Sequence, residues 1–151
     1  MPIPVRATYR LQFRDGFGFA QATAIVPYLA ALGVSHLYAS PLQQARKGST
    51  HGYDTVDPTR LDPALGTAEE FDALVEALHA HGMGLILDIV PNHMGVGADN
   101  PWWQAMLAGG PGSDAARWFD VDWEALAGAT PGRLLLPVLG DPYGEVLDRG
   151  E

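Results

Sequence analysis

Polar and apolar positions alternate from Val5 to Phe13, around Thr8, Tyr9, Arg10, Leu11, Gln12 and Phe13, which predicts a strand. Asp15-Gly16 breaks it. The spacing then changes. From Phe19 to Leu32, the residues Ala22, Ile25, Val26, Leu29 and Leu32 fall on one helical face, and Gly33 ends the helix. Pro27 is expected to kink this helix or to start its second half. Val34 to Ser40 is a short apolar strand closed by Pro41. A second helix opens on Thr67-Ala68-Glu69-Glu70, a capping box in which the threonine hydroxyl and Glu70 satisfy backbone donors reciprocally. Its buried stripe is Phe71, Leu74, Val75 and Leu78, and Gly82 follows its end. Leu85-Ile86-Leu87-Asp88-Ile89-Val90 is nearly all apolar, which predicts a strand buried on both faces of a parallel sheet covered by helices. Strand, helix, strand, helix, strand is the order of an α/β protein built from right-handed crossover units. Three strands can open either a doubly wound sheet or a barrel, and periodicity does not choose between them. No G-x-G-x-x-G follows the first strand, so a dinucleotide-binding fold lacks its main signature.

The rhythm stops after Val90. Residues 91 to 151 hold all four tryptophans, many glycines and prolines, and no clear crossover unit. Asn100-Pro101 reads as a helix start, with Asn100 as N-cap and Pro101 at the first helical position. The stretch 134–139 reads as a strand. The whole segment is expected to be a long insertion after the third strand, and long loops in compact domains are usually functional. There is no internal repeat and no low-complexity tract.

At 151 residues, 47% hydrophobic and 18% charged, the chain is long and apolar enough for one globular domain with a core, and too apolar to be disordered. Cysteine is absent, which excludes disulfides, thiolate metal sites and cysteine nucleophiles and fits the cytoplasm. The start, Met1-Pro2-Ile3-Pro4-Val5-Arg6, does not read as a signal peptide, and no stretch approaches the ~20 apolar residues of a membrane span. A net charge of −9 argues against nucleic acid as a partner, because a phosphate backbone needs a basic footprint. A neutral substrate such as a sugar is compatible with that charge.

Two segments carry candidate chemistry. One is Ser49-Thr50-His51-Gly52-Tyr53-Asp54-Thr55-Val56-Asp57-Pro58, in the loop after the second strand. The other is Asp88-Ile89-Val90-Pro91-Asn92-His93-Met94-Gly95, at the end of the third. Both fall at C-terminal ends of strands, where parallel α/β folds place their active sites. A carboxylate such as Asp88 inside an apolar strand must be hydrogen-bonded or paired. It serves either as a structural aspartate or as a support for the site. His93 acquires a functional reading from His51, Tyr53 and Asp54 on the adjacent loop. Tyr53 offers an apolar face and a polar tip, suited to stacking on a sugar ring. Trp102, Trp103, Trp118 and Trp123 serve either as further sugar platforms or as the local core of the insertion. His51, Asp54, Asp88 and His93 can be imagined as a nitrogen and oxygen metal site, but no H-x-H or H-x-x-x-H spacing supports it. No G-x-S-x-G elbow, P-loop or EF-hand loop occurs.

On these residues the chain resembles the α-amylase family, glycoside hydrolase family 13. Asp88-Ile-Val-Pro-Asn-His93 is similar to that family's first conserved region. His51-Gly-Tyr53-Asp54 is similar to its loop bearing a sugar-stacking tyrosine, and Leu37-Tyr-Ala-Ser-Pro41 to the end of its second barrel strand. Tyr9-Arg-Leu-Gln-Phe13, Ser40-Pro-Leu42, Gly48 to Asp57, Asn100-Pro-Trp-Trp103 and Leu136-Pro-Val-Leu139 narrow the resemblance to the family's intramolecular glucosyl mutases. Those enzymes turn the reducing-end α-1,4 link of a maltooligosaccharide into an α,α-1,1 link. The resemblance implies the N-terminal part of a (β/α)₈ TIM barrel: residues 1–95 as its first three βα units, and residues 96–151 as the start of a lid-like insertion after strand 3.

Carried over residue by residue, the resemblance implies that Tyr53 stacks under the glucose beside the cleaved bond and that His93 hydrogen-bonds it. Asp54 and His51 belong to the same substrate-binding loop, and Asp88 supports the site from its strand. Asn92 matches an asparagine that helps bind calcium in many members. The mutase subgroup is not known for needing calcium, so no metal and no cofactor are expected. The implied partners are a maltooligosaccharide or other α-1,4-glucan, and an enzyme that releases trehalose from the product; neither nucleic acid nor membrane is expected. The family reacts through two carboxylates ~5 Å apart, with retention. Those residues are expected beyond Glu151, since a whole barrel takes roughly 250 residues, and this stretch by itself is expected to be inactive. The alternatives are an α-glucan hydrolase or other transglucosylase of the same family, and a truncated, non-catalytic sugar-binding remnant.

Overall fold

In the computed structural model, the described residues are 3–124, 133, 134, 136 and 139–150. They fall in two compact units, Met1–Gln104 and Ala105–Glu151. The first unit opens on strand β1, Thr8–Leu11, shorter than its alternating pattern. The backbone donors of Arg6 and Ala7 go instead to the hydroxyl of Ser35, at 2.9 and 3.1 Å, so the ladder starts only at Thr8. Arg14 and Phe17 pair across a two-residue turn in which Asp15 and Gly16 both have positive φ, 54° and 82°. This is the conformation that an Asp-Gly pair favours.

Helix α1, Phe19–Ala31, runs without interruption through Pro27. That proline stands on the exposed side, where water can serve the carbonyl left without a donor. Gly33, at φ 87°, stops the helix, and the Val34 N–H returns to the Leu29 carbonyl at 3.1 Å. Strand β2, His36–Ala39, follows. The connection after β2, expected from its polar composition to be a loop, contains an antiparallel hairpin, β3 at Gln43–Ala45 and β4 at Thr55–Leu61. Thr55 to Pro58 therefore lie in a strand rather than a loop.

Helix α2, Ala68–Ala80, carries the expected capping box. The Thr67 hydroxyl accepts from Glu70 N–H at 3.2 Å, and the Glu70 carboxylate accepts from Thr67 N–H at 2.8 Å. Strand β5, Gly84–Leu87, completes a parallel sheet ordered β1-β2-β5. It is not buried on both faces as its composition suggested: Leu87 is 46% exposed and Ile89 56%. A strand paired on one side only leaves its last residues open at the sheet edge. The strand also ends before Asp88, whose N–H makes the last bond, 3.0 Å to the Ala39 carbonyl.

The core joins Leu11, Leu37 and Ala39 of the sheet to Phe19, Ala22, Val26 and Leu29 of α1 and to Leu74 and Leu78 of α2. Phe13, fully buried, links them through ring contacts to Phe17 and Phe19, and Phe19 touches Phe71. Both helices thus share one face of the sheet with the apolar side chains. Arg10, Tyr38 and Ile86 are aligned in register one position away from the buried Leu37, so they alternate to the other face.

After Leu87 the chain is irregular until α3, Pro101–Gly109. Asn100 is its cap, as expected: its Oδ1 accepts from the N–H groups of Trp102 and Trp103, each at 3.0 Å. Its amide donates to the Gly95 carbonyl at 2.8 Å, which is why a fully buried asparagine is tolerated here. In the second unit, Tyr143–Asp148 forms the short helix α4. The strand expected over 134–139 includes 135, 137 and 138, which lie outside the described residues, and 134, 136 and 139 are in no strand. Among the described residues, no helix is long and apolar enough to cross a membrane.

Candidate glucan-binding site

The carboxyl ends of β1, β2 and β5, together with the β3–β4 tip, bring the two candidate segments into contact. Asp88 leaves β5 with its side chain 17% exposed. Its Oδ2 accepts from the hydroxyl of Tyr53 at 2.6 Å and from that of Tyr38 at 3.2 Å, and the Arg10 guanidinium lies 3.8 Å away. Two hydroxyl donors and a nearby positive charge thus meet one oxygen, which answers the cost of removing a carboxylate from water. So engaged, Asp88 is suited to holding neighbours in place rather than to attacking a substrate.

Tyr53 is fixed through its hydroxyl. Its hydroxyl donates to Asp88 and accepts from Arg10 Nη2 at 2.9 Å. The bond to Asp88 is the main reason its phenol holds its proton above the usual tyrosine range, since ionisation would set two anions against each other. The other bond, from Arg10 to the Tyr53 hydroxyl, is the leading cause that raises Arg10 above its ordinary value. Arg10 is held further by Gln12 Oε1 at 3.0 Å and lies 5.7 Å over the Tyr38 ring.

The loop carrying Tyr53 is locked from within. Ser49 Oγ accepts from Gly52 N–H at 3.0 Å and donates to Asp54. The Arg46 N–H closes the base of the loop on the Asp54 carbonyl at 3.1 Å. Gly52 has φ 83°, and a side chain there would also run into the Arg14 guanidinium and the Pro41 carbonyl. His51 stacks on the Tyr53 ring with centroids 6.0 Å apart and accepts the Tyr53 N–H on Nδ1 at 3.0 Å. Its Nδ1 is 4.0 Å from Asp54 Oδ1.

His93 reaches this loop from the other segment. Its Nε2 donates to the Tyr53 carbonyl at 3.1 Å, because a carbonyl can only accept, and its Nδ1 faces the Asn92 side-chain amide at 3.0 Å. Both ring nitrogens are therefore occupied within the chain. Below it, the Gly95 N–H binds the Thr55 carbonyl at 2.8 Å and ties the segment to β4.

All six expected residues, His51, Tyr53, Asp54, Asp88, Asn92 and His93, thus lie in one connected network. Arg10 and Tyr38 complete it and were not singled out for chemistry in the sequence. An arginine inside a parallel strand was the signal that could have marked the first. Among the described residues, no group of three or more His, Asp or Glu side chains is placed to hold a metal ion. Of the four tryptophans, Trp103 is buried, Trp102 and Trp123 are half-buried, and Trp118 is 67% exposed. The arrangement offers an aromatic ring, carboxylate acceptors and imidazole donors on one open face, a set that suits a polyhydroxylated ring.

Residues 19–133 match the α-amylase catalytic-domain family. A putative maltooligosyl trehalose synthase of Mycobacterium tuberculosis is 48% identical over 147 residues, 93% of this chain and 19% of that protein. The intracellular maltogenic amylase of Bacillus subtilis is 40% identical over 94 residues, 62% of this chain and 15% of that protein. The solved maltooligosyltrehalose synthase of Arthrobacter ramosus superimposes with a TM-score of 0.83 at 49% identity, over 93% of this chain and 18% of that one. The chain spans about a fifth of the length of these synthases. Its three parallel strands and two helices match the N-terminal part of a TIM-barrel enzyme, and the chain belongs to the α-amylase family.

Proposed function

We propose that the protein carrying this chain rearranges the reducing-end α-1,4 link of maltooligosaccharides into an α,α-1,1 link, producing a trehalosyl end. The observation that carries this reading is the 48% identity to a putative maltooligosyl trehalose synthase across 93% of the chain. In this reading Tyr53 is the platform for the glucose beside the cleaved bond, with His51 behind its ring and Asp54 holding the loop. His93, whose Nε2–H now goes to the Tyr53 carbonyl, is the donor for which a sugar hydroxyl competes. Asp88, Asn92 and Arg10 hold these groups in register.

Both the old and the new link are α, which requires two inversions and a covalent glucosyl intermediate on a carboxylate. None of this chain's carboxylates is assigned that role. The freed glucose must stay in place and attack through its own anomeric hydroxyl while water is kept out. Residues 96–151 are proposed as part of the cover, after residues 1–95 as the first three barrel units. The lack of cysteine suits a cytoplasmic location, and a hydrolase that releases trehalose is the proposed partner. A second reading, an α-glucan hydrolase, is favoured by the 40% identity to a maltogenic amylase.

A reducing-end assay separates the two. Maltohexaose is given to the full-length product of the gene encoding this chain. The mutase lowers the count of reducing ends without free glucose, whereas a hydrolase raises it.

A further inference from the structure

Behind the Tyr53 loop lies a cavity of about 490 Å³, lined among others by Arg14, Gln44, Arg46, Lys47, Ser49 and Asp62. None of the six proposed site residues lines it. The volume is that of a small-molecule site and exceeds what one water needs.

Its floor is an unusual arginine. Arg14 is held by the Asp15-Gly16 turn with its side chain only 4% exposed. Nη1 lies 3.1 Å from Asp62 Oδ2, yet none of the three guanidinium nitrogens has an acceptor in hydrogen-bonding geometry among the described residues. Buried donors without acceptors are rare, because each forfeits its bonds to water. The rim adds two more cations. Arg46 is 50% exposed and makes only a loose contact, Nε to Asp99 at 3.9 Å. Lys47 is exposed and its ammonium has no ion-pair partner among the described residues.

Three carboxylates also line the cavity, but two are already supplied with donors. Asp62 accepts from Ala45 N–H at 3.1 Å and Ala64 N–H at 3.0 Å besides facing Arg14. Asp99 accepts from Lys47 N–H at 3.2 Å. Asp15 sits in the exposed turn. The three cations and three carboxylates balance in formal charge, but with Asp62 and Asp99 already supplied with donors the unmet hydrogen-bonding capacity lies with Arg14, Arg46 and Lys47, and no aromatic ring among the lining residues offers a sugar platform. The complement is a compact ligand rich in acceptor oxygens and negative in charge.

We propose that this cavity binds a small oxyanion of the phosphate class, free or as the monoester of a small polar molecule. Arg14 would grip it with its planar fork, and Arg46 and Lys47 would close over it as mobile charges. The site is independent of the glucan reading, although Ser49 belongs to both the cavity wall and the Tyr53 loop.

Calorimetric titration of the full-length gene product with inorganic phosphate and glucose 6-phosphate tests this. Saturable binding of either phosphate that persists in the presence of saturating maltohexaose is the expected result. The stronger of the two ligands tells whether the natural one is free or esterified. The double variant Arg46→Ala/Lys47→Ala alters only exposed side chains and should weaken binding tenfold or more while its melting temperature stays unchanged. Arg14→Lys keeps the charge but not the fork and should also weaken it. No saturable heat with either phosphate, phosphate binding abolished by saturating maltohexaose, or a double variant that binds as well as the parent would each overturn the proposal.

Discussion

The hydroxyl of Tyr53 donates to Asp88 and accepts from Arg10; Asp88 holds its proton on, Arg10 opposes that, and the Asp88 bond prevails. The raised pKa of Tyr53 gives a signed expectation: this bond contributes stability below the ordinary tyrosine value near 10, and the contribution is lost as pH climbs through the higher folded value. Alkaline titration followed by tyrosine absorbance, with Tyr53→Phe as the difference standard, should show Tyr53 ionising late. Asp88→Asn should bring it back toward the ordinary range. A titration unmoved by that substitution would remove Asp88 as the cause. For binding, the ring matters more than the hydroxyl. Tyr53→Ala deletes a stacking face worth on the order of 1 kcal/mol, so KM for maltohexaose should rise about fivefold, and Tyr53→Phe should change it less. Equal KM values for the parent and Tyr53→Ala would place the substrate elsewhere. The sequence allowed these residues to be found because His51, Tyr53 and Asp54 sit together in one polar tip, and Asp88, Asn92 and His93 in another. Arg10 and Tyr38 were harder, since each stands alone in a short strand, and only the register that sets them side by side gives them a joint role.

Helices α1 and α2 were legible because their ends are chemical statements. Thr67 and Glu70 close a capping box, and Gly33 and Gly82 take the left-handed conformation that stops each helix. Thr67→Ala should therefore cost about 1 kcal/mol in denaturant unfolding, with the slope unchanged. Phe13→Ala removes a fully buried ring from a chain of aromatic contacts and should cost roughly 3–5 kcal/mol, several times the loss of a cap. Comparable losses for the two would mean that the aromatic cluster is not the centre of the core. The β3–β4 hairpin was not legible. Gln43–Ala45 is three residues long and largely polar, and β4 contains Pro58 and charged residues that read as loop. An edge hairpin tolerates both, because its outer backbone bonds face water. The exposed end of β5 was misread for a related reason: an apolar run announces burial but not how many neighbours the strand has.

At the scale of the molecule, the acidic surface and the parallel sheet serve the same end. A net charge of −9 repels polyanions and leaves a neutral glucan undisturbed, while parallel strands deliver their polar ends to one side of the sheet. The carboxyl ends of β1, β2 and β5 gather there, and the barrel family shares that placement. Composition and periodicity led to an α/β fold but could not separate a barrel from an open sheet, because three strands are common to both. The motifs at the strand ends made that distinction, and the match to the α-amylase family supports it.

The most direct measurement is a proton NMR time course of maltohexaose with the full-length gene product. The expected record shows the reducing-end anomeric signals disappearing while an α,α-1,1 anomeric signal grows in equal amount, with no free glucose. Reducing-end signals that grow instead, with no α,α-1,1 signal, would contradict the mutase and leave a hydrolase built on the same Tyr53–Asp88 network.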